Sequence, residues 1–171
     1  TVERYLAYLR RGGGALMFVN GADVSEEMPY AVPREVRWNR LLREFGVTVN
    51  SDVVYDLAAN DVVPQRANGP FQVLVRYPFF VRAQSTGKAT VNKNLANALL
   101  PWGSSVDTTR QRGWMRTPLF VTSAASGASS GETLIDPARN DYTRAKLAPR
   151  LVGLQITPGD DSATARGRVK R

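Results

Sequence analysis

The fold of this chain depends on residues 9–21, LRRGGGALMFVNG, where arginines and three glycines precede an apolar run. Glycines beside basic side chains can cradle a phosphate, but a phosphate loop follows a strand and opens a helix. The order here is the reverse, because Val2, Tyr5 and Leu9 belong to a helical apolar stripe that ends before the glycines. The sequence therefore predicts a helix, a glycine C-cap and a buried strand over residues 15–19.

Helix and strand patterns alternate through the first third of the chain. A turn-rich stretch over residues 20–34 predicts a long loop at the carboxyl end of the first strand. The stretch EVRWNRLLREFG, residues 35–46, predicts a second helix that ends at Gly46, and residues 47–56 predict two strands around a turn. Because helices and parallel-looking strands alternate, we expect an α/β domain with a mainly parallel sheet flanked by helices. The side chains expected to be buried by the second helix are Trp38, Leu41, Leu42 and Phe45.

From residue 60 onward the patterns predict loops, strands and one short helix. In chain order these are a loop over 60–70, a strand over 71–77 stopped by Pro78, a helix over 91–100, a strand over 117–123, a mobile Gly/Ser/Ala loop over 124–132, a helical turn near 142–147 and a last strand over 150–156. We expect one domain over residues 1–158, followed by a basic, disordered tail over residues 159–171.

Two residue types are missing from the sequence, cysteine and histidine. Their absence excludes cysteine nucleophiles, Ser-His-Asp triads, disulfides and structural zinc sites. The formal net charge is +8, and residues 162–171 contain four basic side chains and no acidic one. A solvated basic tail explains this charge, and a basic nucleic-acid-binding module is the alternative.

The residues expected to bind a ligand or partner lie at the carboxyl ends of the predicted strands, where crevices form in open α/β sheets. They are Asn20, Gly21, Asp23, Asp56, Ser123 and Ser126. The expected activity is recognition of a glycan, a peptide or a partner subunit, without a cofactor or metal. A second alternative is a carbohydrate-acting hydrolase, which needs two carboxylates about 5 to 10 Å apart across a cleft. Asp23 and Asp56 are the pair that would supply them.

Four segments, taken in order, resemble the gliding-motility-associated ABC transporter auxiliary family. They are VERYLAYLRRGGGALMFVN (2–20), WNRLLREFGVTVNSDVVYD (38–56), NLANALLPWGSSVD (94–107) and WMRTPLFVTSAAS (114–126). The family usually has a His-Pro pair just before its NL element, whereas residues 89–95 read ATVNKNL here. Any role of that histidine therefore does not carry over to this chain.

The resemblance implies an extracytoplasmic, periplasmic α/β domain with a class I glutamine amidotransferase-like fold. It implies a non-enzymatic, substrate-binding-like or assembly role with ABC transporter subunits or other membrane-complex proteins in a transport or gliding-motility system. Membrane anchoring would come through segments outside this chain, and nucleic acid is not an expected partner. The family's domain begins a strand earlier than Thr1, so we expect this chain to be truncated at its N-terminus.

Overall fold

The computed structural model describes four stretches of the chain: residues 2–25, 29–66, 72–137 and 146–159. Helical structure in these stretches is short, and most of the regular structure is β-strand. The helices are α1 (Val2–Arg10) and α2 (Asn39–Leu42), with 3-10 turns at Arg43–Phe45 and Thr90–Asn92. The strands are β1 (Ala22–Val24), β2 (Tyr30–Pro33), β3 (Val47–Val49), β4 (Val53–Asp56), β5 (Asn60–Arg66), β6 (Gln72–Ser85), β7 (Asn97–Pro101), β8 (Val106–Thr108), β9 (Trp114–Val121), β10 (Ser126–Ser129), β11 (Thr133–Leu134) and β12 (Leu151–Pro158).

The prediction of a mainly parallel α/β sheet, similar to class I glutamine amidotransferases, is wrong. Every strand pair in the described stretches is antiparallel. The largest sheet has five strands, with β12, β9, β6 and β5 side by side and β7 also paired to β6. Three smaller sheets are β1-β2-β11, β4-β10 and β3-β8. A parallel sheet needs crossover helices that cover its faces, and the two short helices described here are not such crossovers.

The end of α1 is formed by glycine, as predicted. Gly12 has a φ of 90°, and its N–H donates to the carbonyl oxygen of Leu9 at 2.9 Å. The N–H of Gly13 donates to the carbonyl oxygen of Tyr8 at 3.0 Å. These two bonds make a Schellman motif, which saturates the last carbonyls of the helix and reverses the chain. The glycines therefore end a helix and do not open one.

Residues 15–19, which we call the open segment, do not form the predicted buried strand. They belong to no ladder in the described part of the chain. Met17 and Val19 pack against the core, whereas Leu16 and Phe18 are exposed. An apolar run of strand length shows the tendency to be extended, but it does not show that both of its faces are covered.

The second helix is confirmed, although it is short and tightens into a 3-10 turn. Leu41, Leu42 and Phe45 are buried, and Gly46 ends the turn with a φ of 69°. The prediction that Trp38 is buried is wrong, because this residue precedes α2 and is 40% exposed. Its ring stacks edge-on against Tyr5 of α1, with 5.7 Å between the ring centroids. The strands predicted over residues 47–56 are also confirmed, as β3 and β4. They pair with β8 and β10 and not with each other.

Strand β6 continues through Pro78, where the strand was predicted to stop. The register between β5 and β6 shifts at the proline, since Asp61 pairs with Tyr77 and Asn60 with Val81, so the additional residues 78–80 form a bulge in β6 itself. Proline cannot donate to a ladder, and a bulge is one of the few places in a sheet where this costs no bond. The predicted loop over residues 60–70 is likewise wrong over its first part, which forms β5 at the edge of the sheet.

The helix predicted over residues 91–100 is replaced by a 3-10 turn and β7. Val91 and Leu95, predicted to point inward, are exposed, and Asn92 is the buried residue. Its side-chain N–H donates to the carbonyl oxygen of Leu119 at 2.6 Å, which fixes the turn against β9. The helical apolar spacing was therefore coincidental.

The Gly/Ser/Ala stretch over residues 124–132, predicted to be a mobile loop, contains β10. This strand pairs with β4, and Ser126 in it is fully buried. Gly127 lies against the ring of Tyr55, which a Cβ atom at that position would overlap. Glycine is required at position 127 because the neighbouring ring leaves no room for a side chain, not because the segment is a loop. The predicted long loop over residues 20–34 similarly contains the β1-β2 hairpin.

Buried apolar residues of the described stretches form three clusters. The first joins β1, β2, β4 and β6 and contains Ala22, Ala31, Val53, Tyr55, Tyr77, Phe79 and Ile135. The second contains Val36, Leu42, Val47 and Val49, and the third contains Val54, Val81 and Ala83. Strand β4 lies between the first and third clusters, since Val53 and Val54 point to opposite faces.

Five predictions fall at least partly on residues outside the described stretches. These are residues 26–28 of the long loop over 20–34, residues 67–70 of the loop over 60–70, the start of a strand at Phe71, most of the helical turn near residues 142–147, and the basic tail. The division into a domain over residues 1–158 and a tail over 159–171 stays a prediction. The two predicted strands over 117–123 and 150–156 overlap β9 and β12 and are confirmed except at residues 122, 123 and 150.

Candidate functional site

Asp56, at the end of β4, is fully buried and is surrounded by hydrogen-bond donors. Its Oδ1 atom accepts the N–H groups of Ala58 at 2.9 Å and Ala59 at 2.8 Å and the hydroxyl of Ser123 at 2.7 Å. Its Oδ2 atom accepts the N–H of Ser123 at 2.7 Å. A carboxylate with four donors from its own chain fastens two loops together. This arrangement is structural, and it faces inward.

Ser126 and Ser123 lie beside Asp56. Ser126 is the register partner of Asp56 across β4 and β10. Its hydroxyl donates to the carbonyl oxygen of Ala148 at 2.7 Å and also contacts the hydroxyl of Thr122. Three of the six predicted residues are thus brought together, in a buried polar network.

Gly21, two residues after the open segment, belongs to a second buried network that the sequence analysis missed. Its N–H donates to the hydroxyl of Ser104 at 2.7 Å, and that hydroxyl donates to the carbonyl oxygen of Asp52 at 2.6 Å. The carboxylate of Asp52 accepts the N–H of Ser105 at 2.8 Å and also the hydroxyl of Ser105. The Ser-Ser pair in the third resembling segment was the available signal for it. This network fixes one end of the open segment to the turn before β4.

Asn20 and Asp23 lie apart from these networks. Asn20 is exposed, and the carboxylate of Asp23 pairs with Arg34 at 3.2 Å on the surface of the β1-β2 hairpin. Among the described residues, no hydrogen bond or ion pair joins Asp23 to Asp56 or to the serines around it. The six predicted residues therefore fall into separate groups, and their role in binding stays a prediction.

An open depression of about 490 Å³ lies where β5, β6 and β7 meet. Its polar lining includes Asn60, Arg82, Gln84 and Asn97. The amide nitrogen of Asn60 donates to the carbonyl oxygen of Asp56 at 2.7 Å, while its buried Oδ1 atom has no partner among the described residues. Arg82 pairs with Asp61 at 2.8 Å. Amide and guanidinium groups of this kind can bind hydroxyl or peptide groups, but the depression is shallow.

The most exposed apolar surface lies on the open segment. Leu16 is 83% exposed and Phe18 is 89% exposed, the two highest values among the large apolar side chains of the described stretches. On α1, the neighbouring element, Tyr5 and Tyr8 are also exposed. The hydroxyl of Tyr8 donates to the carbonyl oxygen of Gly14 at 3.1 Å, so the helix face and the open segment adjoin. A surface of this composition is suited to contact with another macromolecule.

None of the helices in the described stretches is long and apolar enough to cross a membrane. In the same stretches, no cluster of three or more acidic side chains has an arrangement that could hold a metal ion.

Comparison with known proteins adds a family to this description. Searches of curated proteins and of solved structures gave no match. A family model described as an ABC-type uncharacterized transport system matches residues 1–158, which includes every strand and helix described above. The chain therefore belongs to this family and is an auxiliary component of an ABC-type transport system.

Proposed function

We propose that this auxiliary component is a non-enzymatic binding or scaffold domain that acts outside the cytoplasm, in contact with the membrane subunits of an ABC transporter. The resemblance of four segments to a gliding-motility-associated family supports a role in a transport or gliding system of that type. The proposed activity is recognition, in which a rigid β-rich framework presents surfaces to a transporter subunit or to a glycan or peptide cargo.

The observation that carries this proposal is the use of the buried carboxylates. Asp56 accepts four hydrogen bonds from its own chain, and Asp52 accepts two from Ser105. General acid–base catalysis requires a carboxyl group within hydrogen-bond reach of a substrate. Asp23, the other half of the proposed hydrolase pair, is exposed on the hairpin and paired with Arg34. The geometry therefore favours binding over carboxylate-dependent hydrolysis.

The binding role can be tested with ABC transporter complexes of the source organism, each purified in detergent. We expect one complex to bind the chain and to raise its melting temperature, because a partner at 100 times its Kd adds about 2.7 kcal/mol to the stability. In a separate assay, the chain should hydrolyse glycans no faster than buffer alone does. The role is rejected if no complex binds, or if glycan hydrolysis appears and is lost on substitution of Asp23.

The proposed location can be tested separately, because the chain contains no cysteine. Val91 is exposed on a 3-10 turn, and a Val91→Cys variant provides a single reactive thiol in this chain. In intact cells, a membrane-impermeant maleimide should label this variant without cell lysis. Labelling that requires lysis would place the domain in the cytoplasm. Val81→Cys, buried in β6, is the matched control and should stay unlabelled in both conditions.

A further inference from the structure

The open segment has an alternating pattern of exposure, which is typical of an extended chain with one covered face. Met17 and Val19 pack against the second core cluster. Leu16 and Phe18 point the other way and are almost fully exposed. Single exposed apolar side chains are common on protein surfaces. Two that share one face of a short segment form an apolar patch, and the exposure of this patch to water is unfavourable in free energy.

Within the described stretches, the backbone of the open segment is also without hydrogen-bond partners. Among the described residues, no hydrogen bond reaches the N–H or C=O groups of residues 15–19. The chain is nevertheless fixed on both sides, since the Gly14 carbonyl accepts the Tyr8 hydroxyl and the Gly21 N–H donates to Ser104. A segment that is held at its ends and has free donors and acceptors along its length can template an added strand. A lipid surface would cover the apolar side chains but would leave these backbone groups unsatisfied.

The charges around the open segment indicate the chemistry of its partner. Arg11 belongs to the turn that leads into the segment, and Arg4 lines an apolar depression on α1 together with Tyr8. Both arginines are exposed, and neither forms an ion pair with any described residue. A second copy of this chain, with its formal net charge of +8, is disfavoured by repulsion. A partner with acidic side chains is favoured for the same reason.

We infer that the open segment is a docking edge for another protein, which adds an extended strand with alternating apolar side chains and flanking Asp or Glu residues. The main chain of the partner pairs with residues 15–19, and its apolar side chains cover Leu16 and Phe18. Its acidic ends lie against Arg4 and Arg11. The inference deepens the proposed function by naming the surface and the chemistry of the partner. The inference rests on the proposed function in one respect only, which is that the added strand comes from a transporter subunit.

The probe for this edge is a blocked synthetic peptide, Glu-Glu-Val-Thr-Val-Thr-Val-Glu-Glu, whose binding to the full chain is measured by fluorescence anisotropy. The control peptide has the same side chains but is N-methylated along its Val-Thr-Val-Thr-Val core, which removes its backbone donors. We expect the first peptide to bind and the control to bind at least about tenfold more weakly. Hydrogen exchange of residues 15–19 should slow when the first peptide is added.

Two pairs of variants assign the binding to the edge. The double variant Leu16→Thr/Phe18→Thr should weaken peptide binding at least about tenfold, because it removes the apolar cover while Thr keeps the strand tendency. Its matched control is Leu74→Thr, at a 71% exposed position on β6, which should change nothing. Arg11→Glu should weaken binding about threefold or more at low salt and less at high salt. Arg112→Glu, the same charge change in the loop before β9, is its control.

Four results would overturn the inference: no peptide binding up to about 1 mM, equal binding of the N-methylated peptide, protection of residues 15–19 by self-association, or their protection by anionic vesicles without peptide. Circular dichroism of each variant shows whether it is folded. If the peptide fails while a transporter complex still binds, only this inference fails. If the peptide binds and no transporter does, only the transport role fails.

Discussion

The carboxylate of Asp56 fastens the end of β4 to the loops before β5 and before β10. Asp56→Asn replaces one acceptor oxygen with an NH₂ group, so at least one N–H now faces another donor. We expect a loss of about 2 kcal/mol in the free energy of unfolding, since a buried donor left unpaired costs about 1–3 kcal/mol. Urea denaturation measures this loss.

The matched control for Asp56→Asn is Asp23→Asn, which removes a carboxylate that is exposed and paired with Arg34. Exposed ion pairs contribute about 0–1 kcal/mol, so this variant should unfold almost as the parent does. If Asp56→Asn kept full stability and lost partner binding, the buried network would be part of a binding site after all.

The size of the side chain allowed at position 21 is limited by neighbouring atoms more than by the backbone conformation of Gly21 itself. A Cβ atom at this position would overlap the carbonyl oxygen of Asn50, a backbone atom that the network around Asp52 holds in place. Gly21→Ala should therefore cost about 3 kcal/mol, at the upper end of what overpacking a core costs. Gly14→Ala is the control, because a Cβ there meets nothing within 4 Å. It should leave the stability unchanged or raise it by up to about 1 kcal/mol.

At the scale of an element, β10 is a strand whose Gly, Ser and Ala residues are typical of a loop. Gly127→Ala would place a methyl group in the ring of Tyr55, and we expect it to cost about 1–3 kcal/mol. If the ring is the cause, Gly127→Ala should cost at least about 1 kcal/mol less in a Tyr55→Leu background than in the parent. Thermal unfolding of the parent, the two single variants and the double variant measures this difference. Additive losses would show that the cost comes from the backbone, and Gly131→Ala, in open space, should cost nothing.

Elements were predictable where one residue determines the local backbone. Gly12 and Gly46 have positive φ values and end their helical segments, and both were found from their place after an apolar stripe. Elements were missed where the reason for the structure lies far away in the chain. Pro78 is tolerated because the pairing of β6 with β5 shifts register there, and Gly127 is required because of the ring of Tyr55. Neither partner is visible in a local window of sequence.

The candidate site was predictable in the same uneven way. Asp56 and Ser123 were both selected as polar residues at the carboxyl ends of predicted strands, and the structure joins them by two hydrogen bonds. Their burial was not predictable, because it depends on β10 covering the end of β4. The exposure of Leu16 and Phe18 was missed for the opposite reason, since an apolar run was taken to be covered on both faces.

At the scale of the molecule, residues 38–56 connect the whole core. Each of the three apolar clusters includes at least one side chain from this stretch: Val53 in the first, Val49 in the second and Val54 in the third. Met17 and Val19 of the open segment pack against the second cluster. A strand added at the open segment therefore contacts a part of the chain that is tied to the rest of the core, which makes it a rigid place for a partner to bind.

The stability of the whole molecule should decline in strong base because of two buried tyrosines. Burial raises the pKa of Tyr77 and of Tyr55 above their ordinary value of 10.0. Below a pH of about 10, each tyrosine is neutral in both the folded and the unfolded chain. As the pH rises above this value the unfolded chain loses these protons first, so the unfolded state is favoured and stability falls until the folded tyrosines titrate as well.

Tyr77→Phe separates this effect from other titrations. The Tyr77 hydroxyl donates to the carbonyl oxygen of Ile135 and accepts the Trp102 N–H at 3.1 Å, so the variant should lose about 1–3 kcal/mol at neutral pH. Its further loss between a pH of about 9 and about 11 should be smaller than that of the parent, because one of the two shifted groups is gone. Urea unfolding across this range measures both quantities. Tyr30→Phe, on the exposed side of β2, should keep the decline of the parent, and an equal decline in the Tyr77 variant would show that burial of this hydroxyl does not control it.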